Sequence, residues 1–364
     1  MNPNKSNDSQ IQCLLACDIY PKDNKESKNI GTQEWESIES IEYLSSTIEK
    51  LGYQSYIIDS PKNLIHRLNH INLNQRNKTI IWNLVEGYQS RNRESYIPSI
   101  AEYLGICHTG SDSYAQAICL DKSLTKQKAQ AIGIPIAEEL GILTLSSQGS
   151  EIDRIIESGK LWNGKGNDQN FKTWFAKPNG EGSGLGVGQE SIIKQVSDLK
   201  FYIKKYSESF REILIEEYLE GNEYSVAMLE TSFGKWEICS ALIQYPDVVY
   251  GEEVKRKDCM PETFLLEFDK SKKKAIEQMS LEFVMAMGIE GYARLDFRDD
   301  HAGNVKFLEA NITPGLSKFY SLLPKMFESS LLNYESIIQN IITTALENFS
   351  RKPRYNYGKH HHNN

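Results

Sequence analysis

The residues most suited to chemistry begin at Lys177. The run KPNGEGSGLGVG, 177–188, places five glycines in twelve residues directly after an apolar, strand-like stretch. Glycine lets backbone N–H groups turn toward an anion with no Cβ in the way, and Lys177 puts a cation at the mouth of the loop. A polyphosphate is the ligand that suits such a loop. It is not a Walker A loop, since no Gly-Lys-Ser/Thr ends it, and it does not open a helix as a dinucleotide fingerprint should. Nor is it a nucleophile elbow, because Glu181 stands where that motif needs glycine.

A second group is Arg294-Leu-Asp296 with Glu309-Ala-Asn311. Residues two apart on a strand share a face, so Arg294 and Asp296 point the same way. If the two strands pair across the turn DDHAGN, Asp296 and Glu309 become diagonal neighbours within reach of one ion. Asp, Glu and Asn offer only oxygen, which suits Mg²⁺ or Mn²⁺ better than zinc. The plain alternative is a solvated hairpin face with an Arg–Asp pair.

Two further strings complete the set. Asn311-Ile-Thr-Pro-Gly315 sets a turn with free N–H groups beside the presumed metal ligand, and such groups stabilise a developing oxyanion. Leu214-Ile-Glu216-Glu-Tyr-Leu219-Glu-Gly-Asn-Glu223 carries acids that cannot contact phosphate but can accept hydrogen bonds from an amino group or a diol.

The elements that must hold these residues follow from periodicity. Strands at 11–17, 53–59 and 79–85, with helices at 35–51, 64–71 and 95–104 between and after them, spell a parallel α/β unit. A long helix is expected over 112–132, closed by Gly133 and Pro135. Residues 146–172 are polar and read as a surface insertion. Strands at 174–178, 212–217, 223–230 and 235–242 and helices at 192–207, 270–287 and 331–349 complete the pattern, with two strands around Arg294 and Glu309. The polar loop 246–261 reads as a lid.

Composition narrows the class. A chain of 364 residues with 40% hydrophobic and 25% charged residues buries a sizeable core. A net charge of −8 argues against nucleic acid as a partner. The apolar run 11–17 is too short to span a membrane and lacks a secretory flank, so no membrane partner is expected. Six cysteines without a CxxC read as reduced and packed, which points to the cytoplasm.

Taken in order, these strings, with Thr109-Gly-Ser-Asp112 and Asp121-Lys122, resemble the ATP-grasp superfamily, and within it the D-alanine–D-alanine ligases. The resemblance covers roughly residues 80–330. It implies an α/β chain with a parallel N-terminal domain (1–110) and two α+β subdomains that clamp ATP (111–217 and 218–355), followed by a disordered tail, 356–364. It implies that Lys122 and Lys177 contact ATP phosphates, and that Ser183 belongs to the phosphate-covering loop. Glu216 and Leu219 would meet adenine, and Glu223 the ribose. Lys255 would reach the γ-phosphate from the lid, and Asp296, Glu309 and Asn311 would hold two Mg²⁺ ions, with Mn²⁺ as the alternative. Arg294 and the Gly315 N–H would surround the tetrahedral intermediate, and Ser321 and Leu322 would hold the second substrate's carboxylate.

The chain departs from that family on the amino-acid side. The N-terminal Gly-Gly-x-Ser-x-Glu signature is absent, and Glu34 is only a loose substitute. The segment from Val85 to Glu94 replaces a His-Gly…Gly-Glu-Asp-Gly stretch, and Arg256 stands where the lid tyrosine belongs; turned inward, it would favour an anionic substrate. The expected activity is an ADP-forming carboxylate–amine ligase acting through an acyl phosphate on small amino acids or peptides, with a homodimer left open. The competing readings are a carrier-bound substrate and a non-catalytic ATP-binding module.

Overall fold

The computed structural model describes residues 10–20, 35–87, 90–144, 153–155, 158, 161–163, 170–245, 251, 263–330 and 332–351. Glu34, Lys255 and Arg256 lie outside the described residues, as do the tail 356–364 and nearly all of 246–261.

The chain opens with β1 (Gln12–Cys17), α1 (Ile38–Lys50), β2 (Gln54–Ile58), α2 (Pro61–Asn69), α3 (Leu73–Arg76), β3 (Thr79–Leu84), α4 (Tyr96–Leu104) and β4 (Cys107–His108). The four strands form a parallel sheet in the order β2-β1-β3-β4. β1 and β3 are buried along their whole length, as strands covered on both faces must be, which explains their unbroken apolar runs.

Next come α5 (Ser113–Leu120) and α6 (Lys122–Ala131). The single helix expected over 112–132 is therefore two. Asp121 sits between them in an extended conformation, and its side chain accepts a hydrogen bond from the Leu124 N–H at 3.0 Å. An aspartate that caps its own downstream helix competes with continuation of the upstream one.

The second sheet contains β5 (Glu139–Thr144), β8 (Trp174–Pro178), β9 (Ile192–Ile193) and β10 (Glu212–Glu217), with the small ribbon β6 (Trp162–Asn163) and β7 (Asn170–Phe171) before β8. Its order is β5-β10-β8-β9, antiparallel throughout. One face is packed by α7 (Val196–Tyr206) through Leu199, Tyr202 and Ile203. That helix starts later than its sequence pattern suggests, because β9 takes up the first residues and Gln195 is still extended.

The third sheet is β13-β12-β11-β14-β15, built from β11 (Glu223–Ser232), β12 (Lys235–Gln244), β13 (Thr263–Leu265), β14 (Tyr292–Asp299) and β15 (Val305–Asn311). α8 (Lys270–Met287) covers one face with Ile276, Phe283 and Val284. α9 (Leu322–Ser330) and α10 (Tyr334–Arg351) follow. α10 buries Ile337, Ile338, Ile341 and Ile342 in one cluster with β1 and β3 of the first sheet and β11 and β12 of the third. That helix is the apolar wedge between them.

Candidate active site

β14 and β15 pair in a register that sets Asp296 opposite Glu309 and Arg294 opposite Asn311. The two carboxylates are thus direct rather than diagonal neighbours, because a bulge after Asp296 shifts the ladder by one residue. Each already has a cation. Arg294 donates to both oxygens of Asp296, at 3.2 Å from Nε and 2.9 Å from Nη2, and Ser225 donates to the same carboxylate. Lys122 Nζ stands 3.3 Å from Glu309. Asn311 accepts from the Thr313 N–H at 3.1 Å, which leaves its amide oxygen one lone pair.

Lys122 owes its place to the break at Asp121. It is the first residue of α6, and its N–H donates to the Asn179 carbonyl at the entrance to the glycine-rich loop, 3.0 Å away. Its Nζ donates to the Glu181 carbonyl in the same loop. Ser183, further along, has φ +48°, a left-handed conformation that L-residues rarely hold outside functional turns.

Lys177 comes from β8, where Leu214 of β10 stands opposite it, and meets Glu216, its diagonal neighbour on that strand, at 2.8 Å. Glu216 is also paired with Lys126, a fully buried lysine one turn along from Lys122. Burial pushes the Lys177 ammonium down to about 8, helped by the nearby Lys122 and opposed by Glu309. Burial also lowers Lys126. Lys126 carries little mark in the sequence beyond its spacing of four from Lys122 on one helix. Glu223 pairs with Arg298 at 3.5 Å and accepts from the Tyr245 hydroxyl at 3.2 Å.

Two cavities meet here. The larger, about 710 Å³ and open to solvent, lies between the second and third sheets. Lys122, Lys177, Glu216, Leu219, Glu223 and Glu309 all line it. Phe175, Leu185, Val187 and Leu308 add apolar walls, so the cavity offers both apolar surface and cations to a ligand. The second cavity, about 590 Å³, is lined by Ser183, Arg294 and Asn311, and by Glu86 and Glu94 from the segment after β3. Lys122, Glu181, Gly182 and Glu309 border both. Asp296 lines neither and sits behind Arg294 with 6% exposure.

Gly315, Ser321 and Leu322 form a separate cluster. A Cβ on Gly315 would stand 2.7 Å from Ser321 Oγ and 3.1 Å from a Glu36 carboxylate oxygen, so a side chain there would have to push the Ser321 hydroxyl aside. The other Glu36 oxygen accepts from the Tyr320 hydroxyl. That tyrosine is pushed up to about 12 by burial and by the Glu36 charge. Leu322 opens α9, and the positive end of a helix favours a carboxylate. Glu36, two residues beyond Glu34, was not singled out from sequence; nothing local marks it, since its carboxylate meets Tyr320, 284 residues away.

Comparison with known proteins decides the family. The family described as D-ala D-ala ligase C-terminus matches residues 155–343, just over half of the chain. The chain belongs to the D-alanine–D-alanine ligase family. Its fold is ATP-grasp, and it is an ATP-dependent carbon–nitrogen ligase of the ADP-forming kind. Among relatives, the D-alanine–D-alanine ligase of Aquifex aeolicus is 28% identical over 308 residues, 84% of this chain and 94% of its own. That of Haemophilus ducreyi is 25% identical and covers 85% and 93%. The crystal structure of the Bacillus anthracis enzyme aligns with a TM-score of 0.68 at 22% identity, over 93% of this chain and 99% of that one. The same enzyme complexed with ATP aligns at 0.66 and 19% identity over the same shares.

Proposed function

We propose that this ligase phosphorylates the carboxylate of one small amino acid or short peptide with ATP and joins it to the amine of a second. The observation that carries the reading is the meeting of the two cavities at Lys122 and Glu309. The triphosphate end of the nucleotide would lie where the acceptor cavity begins. Lys122 and Lys177 would offset phosphate charge, which is most of what phosphoryl transfer asks of a protein. Glu223 would hold the ribose, and the Leu219 backbone the base.

The donor set of Asp296, Glu309 and Asn311 is all oxygen, and among the described residues no cluster of three or more His, Cys, Asp or Glu side chains offers another cation site. The set fits Mg²⁺, with Mn²⁺ as the alternative; bound, the ions would neutralise charge on the transferring phosphate. Asp296 would have to exchange Arg294 for the ion, which frees that guanidinium for the acceptor cavity. The Gly315 N–H would stabilise the oxyanion, while Ser321 and the α9 N-terminus at Leu322 would receive a carboxylate. Ser183 would cover the phosphates. Lys255 and Arg256 keep the lid roles expected of them. The chain would act in the cytoplasm: its described cysteines are all free and buried, and no helix among the described residues is long and apolar enough to cross a membrane.

The relatives are named for D-alanine. A different amino acid is favoured here by one observation: Glu86 and Glu94, from the segment that departs from the family, wall the acceptor cavity. The test measures ADP and phosphate release with D-alanine and a panel of D- and L-amino acids and dipeptides, with product mass. Equal ADP and phosphate with an amide product is expected. Release of AMP and pyrophosphate would overturn the reading.

A further inference from the structure

Arg93 lies in the divergent segment between β3 and α4, yet it is only 5% exposed. Its guanidinium leaves the first sheet's territory and grips the glycine-rich loop. Nη1 donates to the Gly180 carbonyl at 2.6 Å, and Nη2 stands 3.2 Å from the Glu181 carboxylate. The same Nη2 is 3.9 Å from Glu94, which walls the acceptor cavity. The stem is held as well. Gly87, at φ +65°, crosses so close that a Cβ there would stand 3.0 Å from the Arg93 Cβ.

We infer that Arg93 is a positioning residue: it fixes the phosphate-covering loop from the amino-acid side, so the loop is set for nucleotide before nucleotide arrives. The inference rests on the proposed use of the 177–188 loop for ATP. A loop of glycines loses much conformational freedom on ordering. A planar guanidinium bonded to one carbonyl and one carboxylate removes part of that freedom in advance. Lys122 holds the Glu181 carbonyl from the α6 side, so Glu181 is fixed at both its backbone and its side chain. Arg93 itself lines neither cavity and acts through the loop.

The test uses the full chain carrying Arg93→Ala or Arg93→Lys. Affinity for a non-hydrolysable ATP analogue with Mg²⁺ is read by calorimetry, which needs no amino-acid substrate. Charge-assisted hydrogen bonds of this kind predict an affinity loss of about tenfold or more in Arg93→Ala. Added guanidinium, below denaturing concentration, should restore part of it. Arg93→Lys should stay weak, since lysine carries one nitrogen where Nη1 and Nη2 reach the two acceptors from two separate positions of a planar fork. Unchanged affinity in a folded Arg93→Ala overturns the proposal. So does a loss that tracks a lowered melting temperature and ignores guanidinium. If the wild type binds the analogue but releases no ADP with any amino acid, the ligase reading fails while the Arg93 result still stands or falls by itself.

Discussion

Lys177 is the residue whose state most depends on what fills the cleft. With its ammonium pushed down to about 8, the empty chain loses that proton as pH rises through 8, whereas an unfolded lysine keeps it to about 10.4. ATP favours the protonated form. Nucleotide affinity is therefore expected to be flat below pH 8 and to fall by up to about tenfold per pH unit above it. Calorimetry in buffers of different ionisation heat should show proton uptake on binding. Lys177→Arg, charged at every accessible pH, should flatten the profile; an unchanged slope in that variant counts against Lys177 as its origin.

Glu309 belongs to both cavities. Glu309→Gln keeps the shape and removes one charge from the oxygen set, so turnover is expected to drop by about a hundredfold or more with the melting temperature kept. Near-normal turnover would return the 294–311 hairpin to a solvated face. Lys122, Lys177, Glu216, Glu223 and Glu309 were legible in the sequence because each stands in a short string whose chemistry is local. Glu36, Arg93 and Lys126 were not. Their importance comes from partners far along the chain: Glu36 meets Tyr320, Arg93 meets Gly180, and Lys126 meets Glu216.

At the scale of elements, the break between α5 and α6 is the feature a periodicity argument misses. Apolar spacing runs smoothly from 112 to 132, and only the Asp121 side chain interrupts it. Asp121→Ala is expected to cost about 1 kcal/mol as a lost cap. Its effect on function should be larger, because the fused helix would no longer present the Lys122 N–H to Asn179. A raised KM for ATP beside a modest fall in melting temperature is the expected pair. β5 escaped for a related reason: Gly141 interrupts its apolar run, and β5 itself bulges there, with Leu140 as the extra residue opposite the Ile215–Glu216 step of β10. α9 escaped because Pro324, near its start, reads as a turn, though proline is accepted in a first helical turn.

At the scale of the molecule, strands with alternating or unbroken apolar patterns were legible one by one, since burial writes itself into sequence at periods of two and 3.6. Which sheets share a core was not written that way. α10 settles it by burying four isoleucines between the first and third sheets. Ile341→Ala, at a fully buried site, is expected to cost about 2–5 kcal/mol and to lower the melting temperature of the whole chain in one transition. Two separated transitions would mean that the wedge does not couple them.

The wall that the two cavities have in common carries a kinetic consequence. Before nucleotide and metal arrive, the acceptor side carries four carboxylates, Glu86, Glu94, Glu181 and Glu309, against two cations, Lys122 and Arg294, and the nucleophile it must admit is itself a carboxylate. Like charges at that range repel. Nucleotide with its cations reverses the local sign and draws Lys122 toward phosphate. Binding should therefore be sequential, nucleotide leading, and an unreactive mimic of the amino acid should inhibit uncompetitively against ATP, lowering apparent kcat and KM for ATP together.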